Sequence, residues 1–408
     1  YIDSSSAKLS ARALCPYGHL NDIETVSFMY PSEHKAKELG IPRVNVLDEC
    51  RKFFYNLYPD RPDLCAEFDR IYFYYKNNIE GRNFNDSDEY AEYWSKKNGG
   101  KSLPAYRMSE IPKCDLTLPY FTKTGEKSEC YVVFGIGGIH GAEYNKALYE
   151  RELAEYEELE TLHMAVRSQY PDPLMLKQKI PGTKKTWSFE YNGKTYKAGE
   201  FLKSGSTAKK AEWKDIEKKK PKLFKVDAKG KYSLNDHYTY TSADDSNHED
   251  FKSYYPNLLI MLEAFLNEGL GYDRYAEIFD NKEKYGSLKD NAKAAGNSAE
   301  AYHYDLLRNG TKLVLNSASG AADCEYYTPI RMNNQIISMR VIGQLFTFRI
   351  GQAQTYEGAK IISTNTDGLF TVFDAEENAK ILEREAAYIN VEIEPEFCYL
   401  VSKDSNNR

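Results

Sequence analysis

Two aspartates, Asp250 and Asp367, and a Lys312/Asn316 pair are of residue types that could act together on an anionic substrate. Two carboxylates that are distant along a chain but adjacent in space can hold a pair of divalent cations about 3.5–4 Å apart. That arrangement activates a hydroxyl and steadies a polyphosphate during in-line displacement. Few protein ligands are needed, because Mg2+ keeps water and phosphate oxygens in its shell. Lys312 and Asn316 are one helical turn apart, so on a helix they share a face and point together.

These groups need rigid elements beneath them. The runs Lys360-Ile361-Ile362-Ser363 and Leu369-Phe370-Thr371-Val372-Phe373 flank Asn365-Thr366-Asp367-Gly368. β-branched and aromatic residues around Asn and Asp-Gly turn chemistry predict a hairpin with Asp367 at its tip. Asp250, read alone, starts a helix after an acidic loop. Upstream, Tyr131-Val132-Val133-Phe134 reads as an apolar strand entering a glycine-rich loop, Gly135-Ile136-Gly137-Gly138-Ile139-His140-Gly141. Residues 146–168 read as a helix with i,i+4 charge pairs. From Pro256, the apolar residues Leu258, Leu259, Leu262, Phe265 and Leu266 predict a helix that stops near Gly269 and Gly271. Further helices follow over about 272–288, 298–316 and 335–355.

A chain of 408 residues exceeds the roughly 250–300 at which single cores stop growing, so two or more subdomains are expected. The net charge of −7 excludes a uniformly basic coat for nucleic acid but not a local one. From Lys184 to Lys231 there are 15 Lys, no Arg and 6 acids, a net +9. This stretch contains Trp187-Ser188-Phe189-Glu190-Tyr191 and an Asn192-Gly193 turn, which predict a small β-rich insertion. The seven cysteines form no C-x-x-C pair, and their odd number fits reduced thiols in a cytosolic compartment with no zinc site. None of the seven scattered histidines is assigned a catalytic role. No apolar run approaches the roughly 20 residues of a membrane span, so no membrane is expected among the partners. The chain begins at Tyr1 and ends in Ser405-Asn406-Asn407-Arg408, and is read as a fragment.

Three segments together resemble the motifs of family B DNA polymerases, in particular the phage and gut-virus type. Asp250-Phe251-Lys252-Ser253-Tyr254-Tyr255-Pro256-Asn257 resembles motif A, D-x-x-S-L-Y-P-S, with Tyr254 for Leu and Asn257 for the final Ser. Lys312-Leu313-Val314-Leu315-Asn316-Ser317-Ala318-Ser319-Gly320 resembles motif B, K-x-x-x-N-S-x-Y-G, with Ser319 for Tyr. Thr364-Asn365-Thr366-Asp367-Gly368 resembles motif C, whose core is D-T-D-S, with Asn365 for the first Asp and Gly368 for Ser. They follow the family order, 62 and then 55 residues apart.

The resemblance covers about residues 131–408 and implies an α/β (α+β) right-hand polymerase fold, with an antiparallel palm sheet, helical fingers and a thumb largely absent. Residues 1–130 would be a linker and support region after a missing exonuclease domain. Residues 131–257 would form the first part of the palm, with the Lys-rich insertion at about 170–240. The fingers would take 258–320, the rest of the palm 321–400 and the start of the thumb 401–408. The implied activity is template-directed addition of dNTPs to a primer 3′-hydroxyl with two Mg2+ ions, for which Mn2+ can substitute.

By the same resemblance, Asp250 and Asp367 are the catalytic carboxylates and, with the Phe251 carbonyl, the metal ligands. Ser253, Tyr254, Tyr255, Lys312 and Asn316 would face the nucleotide, with Lys282 and Lys284 as further triphosphate contacts, and Tyr255 would be the ring that excludes a 2′-hydroxyl. Gly137 and Gly138, in the place of the family's template-touching glycine loop, would contact DNA together with Gly320, Thr366, Lys403 and Arg408. The expected partners are primer–template DNA and dNTPs, with a terminal protein or other replication proteins, in the cytoplasm of a host cell. Two other readings predict different behaviour: a polymerase relative that binds DNA without extending it, suggested by Ser319, Asn365 and Gly368, and a 3′–5′ exonuclease built on Asp22-Ile23-Glu24-Thr25.

Overall fold

Seven strands form one antiparallel sheet: β1 (Thr117–Phe121), β2 (Lys127–Gly135), β3 (Gly138–Glu143), β4 (Tyr240–Phe251), β5 (Lys360–Asn365), β6 (Gly368–Val372) and β7 (Ile393–Lys403). Their order is β1-β2-β3-β5-β6-β4-β7, so the predicted β5–β6 hairpin lies in the interior of the sheet. The computed structural model describes residues 6–14, 30–77, 116–135, 138–178, 186–228, 232–267, 272–322, 330 and 334–403. Asp22, Glu24, Gly137 and Arg408 lie outside the described residues.

Two departures from the sequence reading shape the sheet. Gly138-Ile139-His140-Gly141 is strand rather than loop, paired to β2 on one side and β5 on the other. The glycines suit close approach there: a Cβ on Gly141 would lie 2.3 Å from Thr364 Oγ1. The acidic stretch before Asp250 is likewise not a loop but the 12-residue β4. Its composition is poor in strand formers, yet β6 pairs with it on one side and β7 on the other, and pairing overrides weak intrinsic preference. Glu249 is fully buried within this strand, where Thr371, Gln354 and Asn378 donate hydrogen bonds of 2.6–2.7 Å to its carboxylate.

The helices of this larger unit are α1 (Ser6–Leu14), α2 (Glu33–Leu39), α3 (Val46–Leu57), α4 (Pro62–Tyr75), α5 (Tyr254–Met261), α6 (Arg274–Ala294), α7 (Ser298–Ala322), α8 (Asn334–Tyr356) and α9 (Ala375–Ala386). Helix α8 is buried almost throughout, although Ser338, Gln344, Thr347, Arg349, Gln352, Gln354 and Thr355 are polar. Buried polar groups need partners. Gln352 donates to Tyr58 Oη and Phe121 O and accepts from Phe121 N, while Arg349 pairs with Glu385 at 2.6 Å between the rings of Phe53 and Tyr388. Polar residues that face inward on several sides leave no single apolar stripe, so packing rather than amphipathic pattern sets this helix.

The boundary expected at residue 130 falls inside β2. β1 belongs to the sheet, and Phe54, Phe68 and Tyr120 share its core with Phe348 of α8. Helix α1 packs on α7, with Ser10 Oγ donating to Val314 O. Residues 1–130 therefore supply structural parts of the larger unit where they are described.

A second compact unit comprises Tyr144–Lys225 and Leu234–Thr239, beginning earlier than the insertion expected at about residue 170. Its helix Lys146–Gln169 is capped by Asn145, whose side chain accepts from Leu148 N. The ribbon Ser188–Tyr191/Lys194–Lys197 turns at Asn192 (φ 48°) and Gly193 (φ 74°), as the sequence predicts. A small core of Leu162, Val166, Leu176, Trp187, Phe201 and Leu202 closes the unit. No helix among the described residues is long and apolar enough to cross a membrane.

Candidate active site

Sheet register brings the two aspartates together. Gly368 lies directly opposite Asp250 across β6 and β4, and the Phe251 amide donates to Asp367 O at 2.9 Å. A Cβ on Gly368 would stand 3.1 Å from Glu249 O, so glycine at this position lets the hairpin approach β4 closely. Thr366 takes a left-handed conformation (φ 36°), and its amide donates to Ile139 O. Gly138 (φ 145°) sits against it: a Cβ there would meet Thr366 Cγ2 and Oγ1 at 2.7 Å. Two residues assigned to DNA contact are thus neighbours at the hairpin tip.

Burial, and secondarily the nearby charge of Asp250, pushes the Asp367 carboxyl above its ordinary range. Two anions held close without a compensating cation repel each other, and a bound divalent cation relieves that cost. Among the described residues no group of three or more His, Cys, Asp or Glu could hold a metal ion. Remaining ligands to a cation at this pair would come from backbone oxygen, water and substrate phosphate, which is the donor set that Mg2+ accepts.

Asp250 and Asp367 open onto a cavity of about 430 Å3, lined also by Phe251, Ser253, Tyr254, Tyr255, Lys282, Arg308, Lys312, Asn316 and Ser319. Part of the lining is the chain that leads from Asp250 into α5. Ser253 adopts φ 50°, ψ 44° at the start of α5, a conformation costing a non-glycine residue of order 1–3 kcal/mol. Lys282, 8% exposed, donates to Ser253 Oγ and Glu283 Oε1, both at 2.7 Å. Tyr254 is buried and donates to Gly343 O at 2.8 Å, and Tyr255 stacks on it at 5.8 Å. The Tyr255 phenol is pushed up by burial and by the Asp367 charge.

Another part of the lining is α7. Lys312, Asn316 and Ser319 line the cavity as their helical spacing predicts, and Arg308 extends the same stripe by one turn. Arg308 was not singled out in the sequence, although its i−4 relation to Lys312 was a usable signal. Gly343 was also missed. It lies in mid-helix, where glycine costs roughly 0.5–1 kcal/mol relative to alanine, a hint of a packing role. A Cβ there would meet Tyr255 Cε1 at 3.1 Å, Tyr254 Cε1 at 3.3 Å and Leu258 Cδ1 at 3.4 Å.

Two other assigned residues, Lys284 and Gly320, do not line the cavity. Lys284 is exposed and does not line it, because a residue two positions from Lys282 points to another side of the helix. Gly320 is exposed, and a Cβ on it would meet nothing within 4 Å. Lys403 ends β7 opposite Tyr240. Lys289, on the same helix as Lys284, is mostly covered and lies 3.8 Å from Asp305 of α7. Scanned against protein-family models and against curated proteins, the sequence matches none.

Proposed function

We propose that this chain is the polymerising core of a template-directed DNA polymerase of the phage-type family B class, adding dNTPs to a primer 3′-hydroxyl. One observation carries the reading: Asp250, Tyr255, Lys312, Asn316 and Asp367, taken from three segments far apart in sequence, line one cavity. In this reading the antiparallel sheet is the palm and the α6–α7 pair the fingers.

Asp250 and Asp367 would hold the cations, with the Phe251 carbonyl beside them. Two Mg2+ ions bound there supply activation of the primer hydroxyl and neutralisation of charge on the phosphates. The cationic wall of Lys282, Arg308 and Lys312 takes up the triphosphate, oriented by charge-assisted hydrogen bonds. Asn316, one turn from Lys312, faces the base and sugar. Tyr255 lines the same cavity and in this reading is the ring that would exclude a 2′-hydroxyl.

Extension of a labelled primer on a DNA template tests this directly, with Mg2+ and dNTPs and with Asp250→Ala and Asp367→Ala as controls. Templated extension abolished by both substitutions is the expected result. DNA binding without extension, in a preparation whose fold is intact, favours the non-catalytic relative that Asn365, Gly368 and Ser319 suggest. Primer shortening lost in Asp22→Ala but kept in Asp367→Ala would instead indicate a nuclease.

A further inference from the structure

The hydroxyl of Thr347 sits where three elements of the larger unit meet. Thr347 is fully buried in α8, and its Oγ1 lies 3.1 Å from Thr366 O, 2.9 Å from Gly343 O and 3.5 Å from Tyr254 Oη. Thr366 precedes Asp367 at the hairpin tip, and Tyr254 opens α5 four residues after Asp250. One side chain thus touches both segments that carry the carboxylates.

A threonine hydroxyl inside a helix ordinarily bonds back to the carbonyl four residues earlier, here Gly343 O. It has one proton, which cannot serve two carbonyls fully. Gly343 O already accepts from Tyr254 Oη at 2.8 Å, so the proton of Thr347 goes to Thr366 O. That bond completes a set at the hairpin tip. Ile139 O of β3 accepts from the Thr366 amide at 2.8 Å, and the Phe251 amide of β4 donates to Asp367 O at 2.9 Å. The carbonyl between those two groups is held from α8, by a side chain. Thr366 has φ 36°, which a β-branched residue rarely adopts and keeps only where its surroundings restrain it.

We infer that Thr347 is a positioning residue: its hydroxyl fixes the Thr366–Asp367 peptide and so sets the Asp367 carboxylate against Asp250 for a divalent cation. The inference rests on the reading that these two carboxylates hold cations. Mg2+ demands near-ideal octahedral geometry, and a peptide free to tilt carries its carboxylate out of that tolerance. If Thr347 served only packing and its bond to Gly343 O, its methyl would matter more than its hydroxyl, because the methyl fills a fully buried site. The two roles therefore rank the same pair of substitutions in opposite order.

Titration of the full chain with Mn2+, read from the electron paramagnetic resonance signal of the free ion, tests this. Thr347→Val keeps the volume and loses the hydroxyl, and Thr347→Ser does the reverse. Thr347→Val should weaken Mn2+ binding about tenfold or more, the scale of losing a group that orients a metal ligand, and Thr347→Ser should stay within about threefold of the parent. In primer extension, the Mn2+ concentration giving half the maximal rate should rise in Thr347→Val by the same factor and stay parental in Thr347→Ser. Equal Mn2+ binding in the two variants, or weaker binding in Thr347→Ser, would overturn the role of Thr347 and leave the cation site standing. Mn2+ binding that Asp367→Ala does not weaken would overturn the cation site and this inference together. If chemical denaturation shows that Thr347→Val does not fold, Thr347→Cys takes its place beside Thr347→Ser. A thiol is the weaker donor in a side chain of similar shape, so Thr347→Cys should bind Mn2+ less tightly than Thr347→Ser, and equal binding would again overturn the role.

Discussion

The two units handle charge in opposite ways. In the larger one, the groups of the cavity are fixed by partners far away in sequence: the Phe251 amide on Asp367 O, Lys282 on Ser253, Tyr254 on Gly343. In the smaller one, most lysines are on the surface, and those that form ion pairs do so locally, as Lys203 and Lys210 do with Glu212. Holding Asp250 near Asp367 and burying Lys282 both cost free energy that only long-range packing offsets, so their positions signal a use. Surface lysines cost little singly and carry information only where several elements aim them at one place.

The contrast is broken most forcefully at the carboxylates. Asp367→Ala should lower primer extension by about a thousandfold or more, the scale of several kcal/mol of metal-assisted stabilisation. Thermal unfolding should change little or rise, since a half-buried repelling charge is removed. Extension within a few fold of the parent would detach the cavity from the chemistry.

Arg308→Ala and Lys312→Ala each remove a charged hydrogen-bond donor worth about 1.5–3 kcal/mol, so the KM for dNTP should rise about tenfold or more. If Arg308 only packs against Gly286, the KM will stay put while Lys312→Ala still raises it.

Gly343→Ala sharpens the comparison from the far side of the cavity. The added methyl crowds Tyr255 and Tyr254, which should destabilise the fold by about 1–3 kcal/mol, read by chemical denaturation, and alter ribonucleotide exclusion. Tyr255→Val should relax that exclusion by itself. A Gly343→Ala protein with parental stability and sugar selectivity would show that the ring is not held from α8.

The smallest effect belongs to the smaller unit and depends on pH. His163 is lowered to about 4 in the fold against 6.5 as a free side chain. Between those values the unfolded chain binds more protons, so stability rises as pH increases from about 4 to 6.5 and is lost on acidification. His163→Leu, packed against Phe201, should abolish that dependence, read from tryptophan fluorescence in a pH series of unfolding curves. An unchanged acid sensitivity would assign it elsewhere.

Local patterns in the sequence were enough for the β5–β6 hairpin, the Asn192-Gly193 ribbon and the helical face that aligns Lys312 with Asn316. Those features depend on turn chemistry and helical periodicity, which a few neighbouring residues dictate. The tertiary structure alone decided that an acidic run would be the strand β4, that Gly138–Gly141 would pair rather than loop, and that β1 would join a sheet largely built from later segments. It also decided that Arg308 and Gly343 would meet the site and Lys284 would not. Each outcome turns on pairing, burial or close approach between residues remote in the chain, and a single strand of sequence carries no local signal for who its distant neighbours will be.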